Sequence, residues 1–113
     1  MKFLSIWVPD AKTAAGPPSK ELMEEMGKLI EESMKAGTLL ATGGLLPASQ
    51  GGARVRSSGG RITVTDGPFT ESKELIAGFA IIQAESKEEA IESAKRFVRI
   101  AGDGESELRQ IMD

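Results

Sequence analysis

The ten residues LIAGFAIIQA, positions 75–84, restrict the fold more than any other stretch of the chain. Positions 76, 78, 80 and 82 form one apolar set, and positions 75, 77, 79 and 81 form another. Successive side chains of a strand point to opposite faces of its sheet, so a strand apolar in both sets must be covered on both sides. Whatever sheet holds this strand therefore needs a layer above it and a layer below.

The helices that the sequence predicts can cover one side only. Leu22, Met23, Met26, Leu29, Ile30 and Met34 recur at steps of three and four, which predicts a helix over about residues 20–36 with one buried stripe. Ser19 is placed to cap its start, and Gly37 to supply the left-handed residue that ends it. The three methionines in this stripe are read as core filler between packed layers rather than as a soft binding surface. A second helix opens on SKEE, with Ser86 and Glu89 forming a capping box. Ala90, Ile91, Ala94, Phe97, Val98 and Ala101 line its inner face, and Gly102 ends it.

Strands occupy the remainder. KFLSIWV, 2–8, puts Leu4, Ile6 and Val8 on one face and Phe3, Ser5 and Trp7 on the other. A loop of about twelve residues, PDAKTAAGPPSK, follows it. A short strand at 39–42 stops at Gly43-Gly44, where a bulge or a close approach of backbone is expected. ARVRSSGGRITVT alternates polar and apolar about SSGG and predicts a hairpin with one wet face. At the end of the chain, Leu108 and Ile111 differ in parity, which suits a bulge or a mixed-face edge strand.

The order is thus β-α-β-β-β-β-α-β in a single domain spanning 1–113: an α+β, ferredoxin-like antiparallel sheet with two helices on one face. No third layer remains for the other face, although burying each large apolar side chain there is worth roughly 1.5–3 kcal/mol. A second copy of the chain is the expected cover, giving a homodimer packed sheet against sheet about a two-fold axis.

Composition narrows function mainly by exclusion. The chain has no His, Cys or Tyr, so a Cys/His zinc site and a Ser-His-Asp or Cys-His triad cannot be built. Any proton transfer falls to Asp, Glu, Lys or a ligand, and no metal or cofactor is expected. A net charge of −3, from 17 acidic and 14 basic residues, argues against a nucleic-acid partner. No apolar run approaches the ~20 residues of a membrane span. The apolar stretch in MKFLSIWVPD is too short for a secretory leader, and with zero cysteines it predicts a cytoplasmic protein.

The candidate site centres on TDGPFTESKE, 65–74. An aspartate at a turn commonly accepts from the N–H two residues on, but for Asp66 that residue is Pro68, which has none. Its carboxylate either pairs with a hairpin arginine or a loop N–H, or handles a ligand or a proton. Phe69 either anchors the loop in the core or stacks on a ligand, and Glu71, Lys73 and Glu74 form a solvated rim. Arg54 and Arg56 share a hairpin face. Facing a cleft they would hold a carboxylate or phosphate; facing water they would keep the hairpin soluble. Trp7, Gly43 and Gly44 complete the set, Trp7 as pocket wall, core or dimer interface.

Over VTDGPFTESKELIAGFAII the chain resembles the YCII-related proteins that carry a DGPF motif, often written DGPFAETKE. The likeness extends through GGLLPAS, ARVRSSGG, the second helix and ESELRQI. It implies a ferredoxin-like domain that pairs as a dimeric α+β barrel, and it assigns no reaction. Some relatives carry a histidine on the first helix with an aspartate elsewhere as a suspected active pair. That helix position falls here at Met26, whose thioether cannot serve as acid or base. The functional expectation is a small homodimer that binds a small, anionic organic molecule near the DGPF segment. The pocket would lie between the end of the first strand, the first helix and Thr42-Gly43-Gly44. Two alternatives stand beside it: an isomerase- or lyase-like enzyme using Asp66 as base with an arginine stabilising an enolate, and a non-catalytic interaction module.

Overall fold

The computed structural model describes residues 1–47, 50–66 and 75–113. The elements run β1 (Lys2–Pro9), α1 (Ala11–Ala14), α2 (Lys20–Lys35), β2 (Leu39–Gly44), β3 (Ala53–Ser58), β4 (Arg61–Asp66), β5 (Gly78–Gln83), α3 (Lys87–Ala101) and β6 (Gly104–Gln110). Four strands make one antiparallel sheet in the order β2-β5-β1-β6, and β3-β4 make a separate hairpin. The strand that is apolar on both sides, β5, lies inside the sheet between β2 and β1.

Register decides which residues meet the helices. Phe3 lies opposite Ile82, and Ser5 opposite Ala80 and Leu108, so these side chains share the helix-covered face. The buried core is small: Phe3 (3% exposed), Ile82, Ala84 and Ala90, with Ala80 and Leu108 packed against it. Ser5, the buried polar residue of this face, is satisfied by a 2.7 Å hydrogen bond between its Oγ and that of Ser106. On the opposite face Leu4, Ile6 and Val8 stand beside Phe79 and Ile81, all half-buried with no layer of the described chain over them.

The helix ends follow the expected chemistry. Ser19 Oγ accepts from Leu22 N at 3.1 Å, and Ser86 Oγ from Glu89 N at 3.2 Å. Gly37, at φ 77°, closes α2 with two bonds: its N–H donates to Met34 O, and Thr38 N donates to Ser33 O. Gly59 and Gly60, at φ 57° and 80°, make the two-residue turn between β3 and β4.

Four expectations need correction. The twelve-residue loop is shorter, because β1 continues through Pro9 and one helical turn, α1, follows, closed by Ala14 N to Asp10 O at 2.9 Å. The strand expected from Leu75 begins only at Gly78, and Leu75 and Ile76 are exposed. The hairpin has two wet faces rather than one. Val55, Ile62 and Val64 are 70%, 70% and 66% exposed, since no other element of the described chain covers them. Finally, α2 buries no residue: Met23 and Met34 are exposed, while Leu22, Met26, Leu29 and Ile30 are only half-buried. The inner face of α2 meets space instead of a packed core.

Candidate functional site

That space is a cavity of about 970 Å³ between α2 and the sheet. Its roof is the α2 stripe Leu22, Met26, Leu29 and Ile30. Its floor is the helix-facing set of the sheet, including Ser5 and Trp7 on β1, Ala80 on β5 and Thr42 on β2. α3 closes one side with Ser93, Ala94 and Phe97. Trp7 and Phe97 pack edge to face, with centroids 5.2 Å apart and planes at 84°, so the aromatic corner of the cavity is fixed from both sides.

Close approach accounts for Gly43 of β2 and Gly78 of β5, whereas a Cβ on Gly44 would meet only Ala77 O at 3.9 Å, an ordinary contact. A Cβ on Gly43 would stand 3.0 Å from Phe79 Cε1, and one on Gly78 would stand 3.2 Å from Gly43 O. The irregularity in pairing falls upstream, between Leu39 and Ala41. Thr42 Oγ1 donates to Phe79 O at 2.9 Å, which pins β2 beside β5 at the cavity edge.

The structure brings Trp7, Met26, Gly43 and Gly44 together in the cavity lining. It does not bring Arg54 there: Arg54 lies on the exposed hairpin, sharing a face with Arg56 and Arg61. Asp66 is exposed at the end of β4 and is not part of the lining. Phe69 and the rest of the DGPF segment from Gly67 to Glu74 lie outside the described residues. The chain does return from that segment directly into Leu75 and Ile76, both of which line the cavity.

Sequence reasoning missed Phe97 and Arg96 as lining residues. Phe97 is counted in the apolar stripe of α3, and no sequence signal separates a stripe residue that packs from one that borders a hollow. Among the described lining residues Arg96 carries the sole formal charge, and neither Asp, Glu nor Lys is present. The described lining can enclose an apolar molecule and offer hydroxyls, and no carboxylate or lysine is among its residues.

A four-stranded antiparallel sheet with its helices on one face and an inserted hairpin places the chain in the ferredoxin-like α+β class. Its sequence matches the YCII-related domain over residues 1–113, and the chain belongs to that family. It is 33% identical over 76 residues to an uncharacterised protein of Rhizobium meliloti (strain 1021), a match spanning 67% of this chain and 60% of that protein's length. Among solved structures it is similar to the 5-chloro-2-hydroxyhydroquinone dehydrochlorinase of Burkholderia phenoliruptrix AC1100, in a complex with 2,5-dihydroxybenzoquinone. The TM-score is 0.55 at 16% identity, covering 99% of this chain and 94% of the other, and the likeness is one of fold.

Proposed function

We propose that the protein binds a small organic molecule in the cavity beneath α2 and works as a cytoplasmic homodimer. The observation that carries the reading is the hollow itself. At about 970 Å³ it lies at the upper end of the size range of small-molecule sites, and its wall is largely apolar with a few placed hydroxyls. A helix with an apolar stripe normally buries that stripe in its own core. Here the stripe of α2 is held off the sheet, where a ligand can take the missing contacts. The dehydrochlorinase of similar fold, in its complex with a small quinone, supplies a precedent for a ligand of this size on such a scaffold.

The dimer reading rests on the opposite face of the sheet, where Leu4, Ile6, Val8, Phe79 and Ile81 form an apolar patch that no layer of the described residues covers. A second copy set against the same patch hides both at once.

Trp7 is the lone tryptophan, the chain has no tyrosine, and Trp7 lines the cavity, so its emission reports occupancy directly. Titration with a panel of small ring compounds is expected to shift or quench this emission saturably and raise the melting temperature in parallel. A panel that leaves both unchanged defeats the binding reading. Sedimentation should give a particle of twice the 12.0 kDa chain mass, and a well-folded monomer at micromolar concentration defeats the dimer. Binding is favoured over catalysis because the described lining contains no acid–base residue.

A further inference from the structure

We infer that Arg96, backed by Ser93, is the anion-recognition point of this cavity, so that its ligand class is a flat, apolar ring compound bearing a single carboxylate-like group. The inference rests on the binding reading above and adds the chemistry of the ligand. The first observation is charge. The cavity wall is apolar apart from hydroxyls and backbone, and Arg96 is the one formally charged side chain in the described lining. A lone cation beside an apolar hollow favours an anionic group there over a cationic one, since no carboxylate of the described lining offsets it.

The second observation is what Arg96 is doing now. Its Nη2 lies 3.4 Å from Ser93 Oγ, a weak contact one helical turn away. Glu92 stands at the i−4 position from which a carboxylate commonly pairs with an arginine, yet its Oε1 is engaged by Lys95 Nζ at 3.1 Å. Among the described residues no carboxylate forms an ion pair with Arg96. The guanidinium thus keeps its fork of donors for a bidentate partner, and Ser93 Oγ is beside it to add a third hydrogen bond. The third observation is what lies next to it: Phe97, edge to face with Trp7, offers an aromatic surface for a ring whose acid group points at Arg96.

The test compares 2-naphthoate with its uncharged isostere 2-naphthamide, using calorimetry together with Trp7 emission. Wild-type protein is expected to bind the carboxylate about tenfold or more tightly than the amide, in keeping with a charge-assisted bidentate pair. Arg96→Gln should remove that preference while leaving amide affinity within about twofold, and Arg96→Lys should retain part of it because the charge stays and the fork is lost. Ser93→Ala should weaken carboxylate binding a few-fold and leave the amide unaffected. Arg96 is exposed, so its variants are expected to fold, which far-UV circular dichroism verifies. Equal affinity of the two compounds for wild type, or a preference that survives Arg96→Gln, overturns the inference and leaves the pocket standing. Failure of both compounds to bind overturns the pocket reading and the inference with it.

Discussion

Replacing Gly104 with alanine tests the junction on which one wall of the cavity depends. Gly104 opens β6 opposite Pro9, where the strand passes under the indole of Trp7. An added Cβ would stand 2.6 Å from Trp7 Cη2, 2.7 Å from Pro9 Cα and 2.7 Å from Val8 O. Carbon atoms in favourable contact are ~3.5–4.0 Å apart, so the methyl arrives roughly 0.8 Å or more too close to several atoms at once. Two of those atoms belong to the backbone of β1, which is held by hydrogen bonds to β5 and β6 and cannot slide for one residue. Overpacking commonly costs about 1–3 kcal/mol, and the rigidity of the neighbours puts this case at the top, near ~3 kcal/mol. For a domain of this size each kcal/mol moves the melting temperature by about 4 °C, so a fall of roughly 10 °C is expected. Thermal unfolding followed by far-UV circular dichroism measures the loss, and Trp7 emission should report a displaced indole well below the transition. Gly27→Ala is the control. It lies inside α2 with nothing within 4 Å of an added Cβ, and should raise stability by about 0.5–1 kcal/mol through helix propensity. If Gly104→Ala melts with or above wild type, the pairing of β1 with β6 at Pro9 is not as described and the Trp7 wall must be redrawn.

Three further outcomes follow from the same geometry. If the protein pairs as proposed, Ile6→Lys places a charge in that sheet face and should convert the proposed dimer to a folded monomer, seen by sedimentation with an unchanged circular dichroism spectrum. Asp66→Asn should leave naphthoate affinity within about twofold, because Asp66 is exposed and lies outside the described lining; a tenfold loss would bring Asp66 into the site. Lys95→Ala should change stability by less than ~0.5 kcal/mol, as expected for an exposed ion pair. The same substitution releases Glu92 to compete for Arg96, so carboxylate affinity should fall severalfold in a calorimetric titration while amide affinity holds.

Much of the scaffold was legible because local rules carried it. The caps at Ser19 and Ser86, the stop at Gly37 and the Gly59-Gly60 turn each depend on a few neighbouring residues. What escaped depends on distances between layers. Leu22, Met26, Leu29 and Ile30 make the same stripe whether the helix rests on the sheet or stands away from it, so the hollow left no trace in the periodicity. Arg96 cannot be told from the other charges of its helix by sequence alone, because nothing in its neighbours says that Glu92 is already taken by Lys95. The short helix α1 has no side-chain cap bond and only four residues, too little pattern to register. Trp7, Met26, Gly43 and Gly44 could be grouped in advance because strand end, helix and glycine pair converge in this topology, whereas the hairpin arginines fall on an insertion that leaves the sheet.

That insertion bears on how the protein behaves at high concentration. β3 and β4 form a ribbon only two strands wide, with Val55, Ile62 and Val64 on one side and Arg54, Arg56 and Arg61 on the other. A narrow ribbon with an oily side invites edge-on stacking between molecules, the first step towards fibrils. The charges of Arg56 and Arg61 on the arginine side make neighbouring ribbons repel one another, acting as gatekeepers against such stacking. Concentrated salt weakens that repulsion, since at 1 M the screening length is only ~3 Å. Turbidity on storage should therefore rise with ionic strength, and swapping the ribbon's valines for threonine should suppress it.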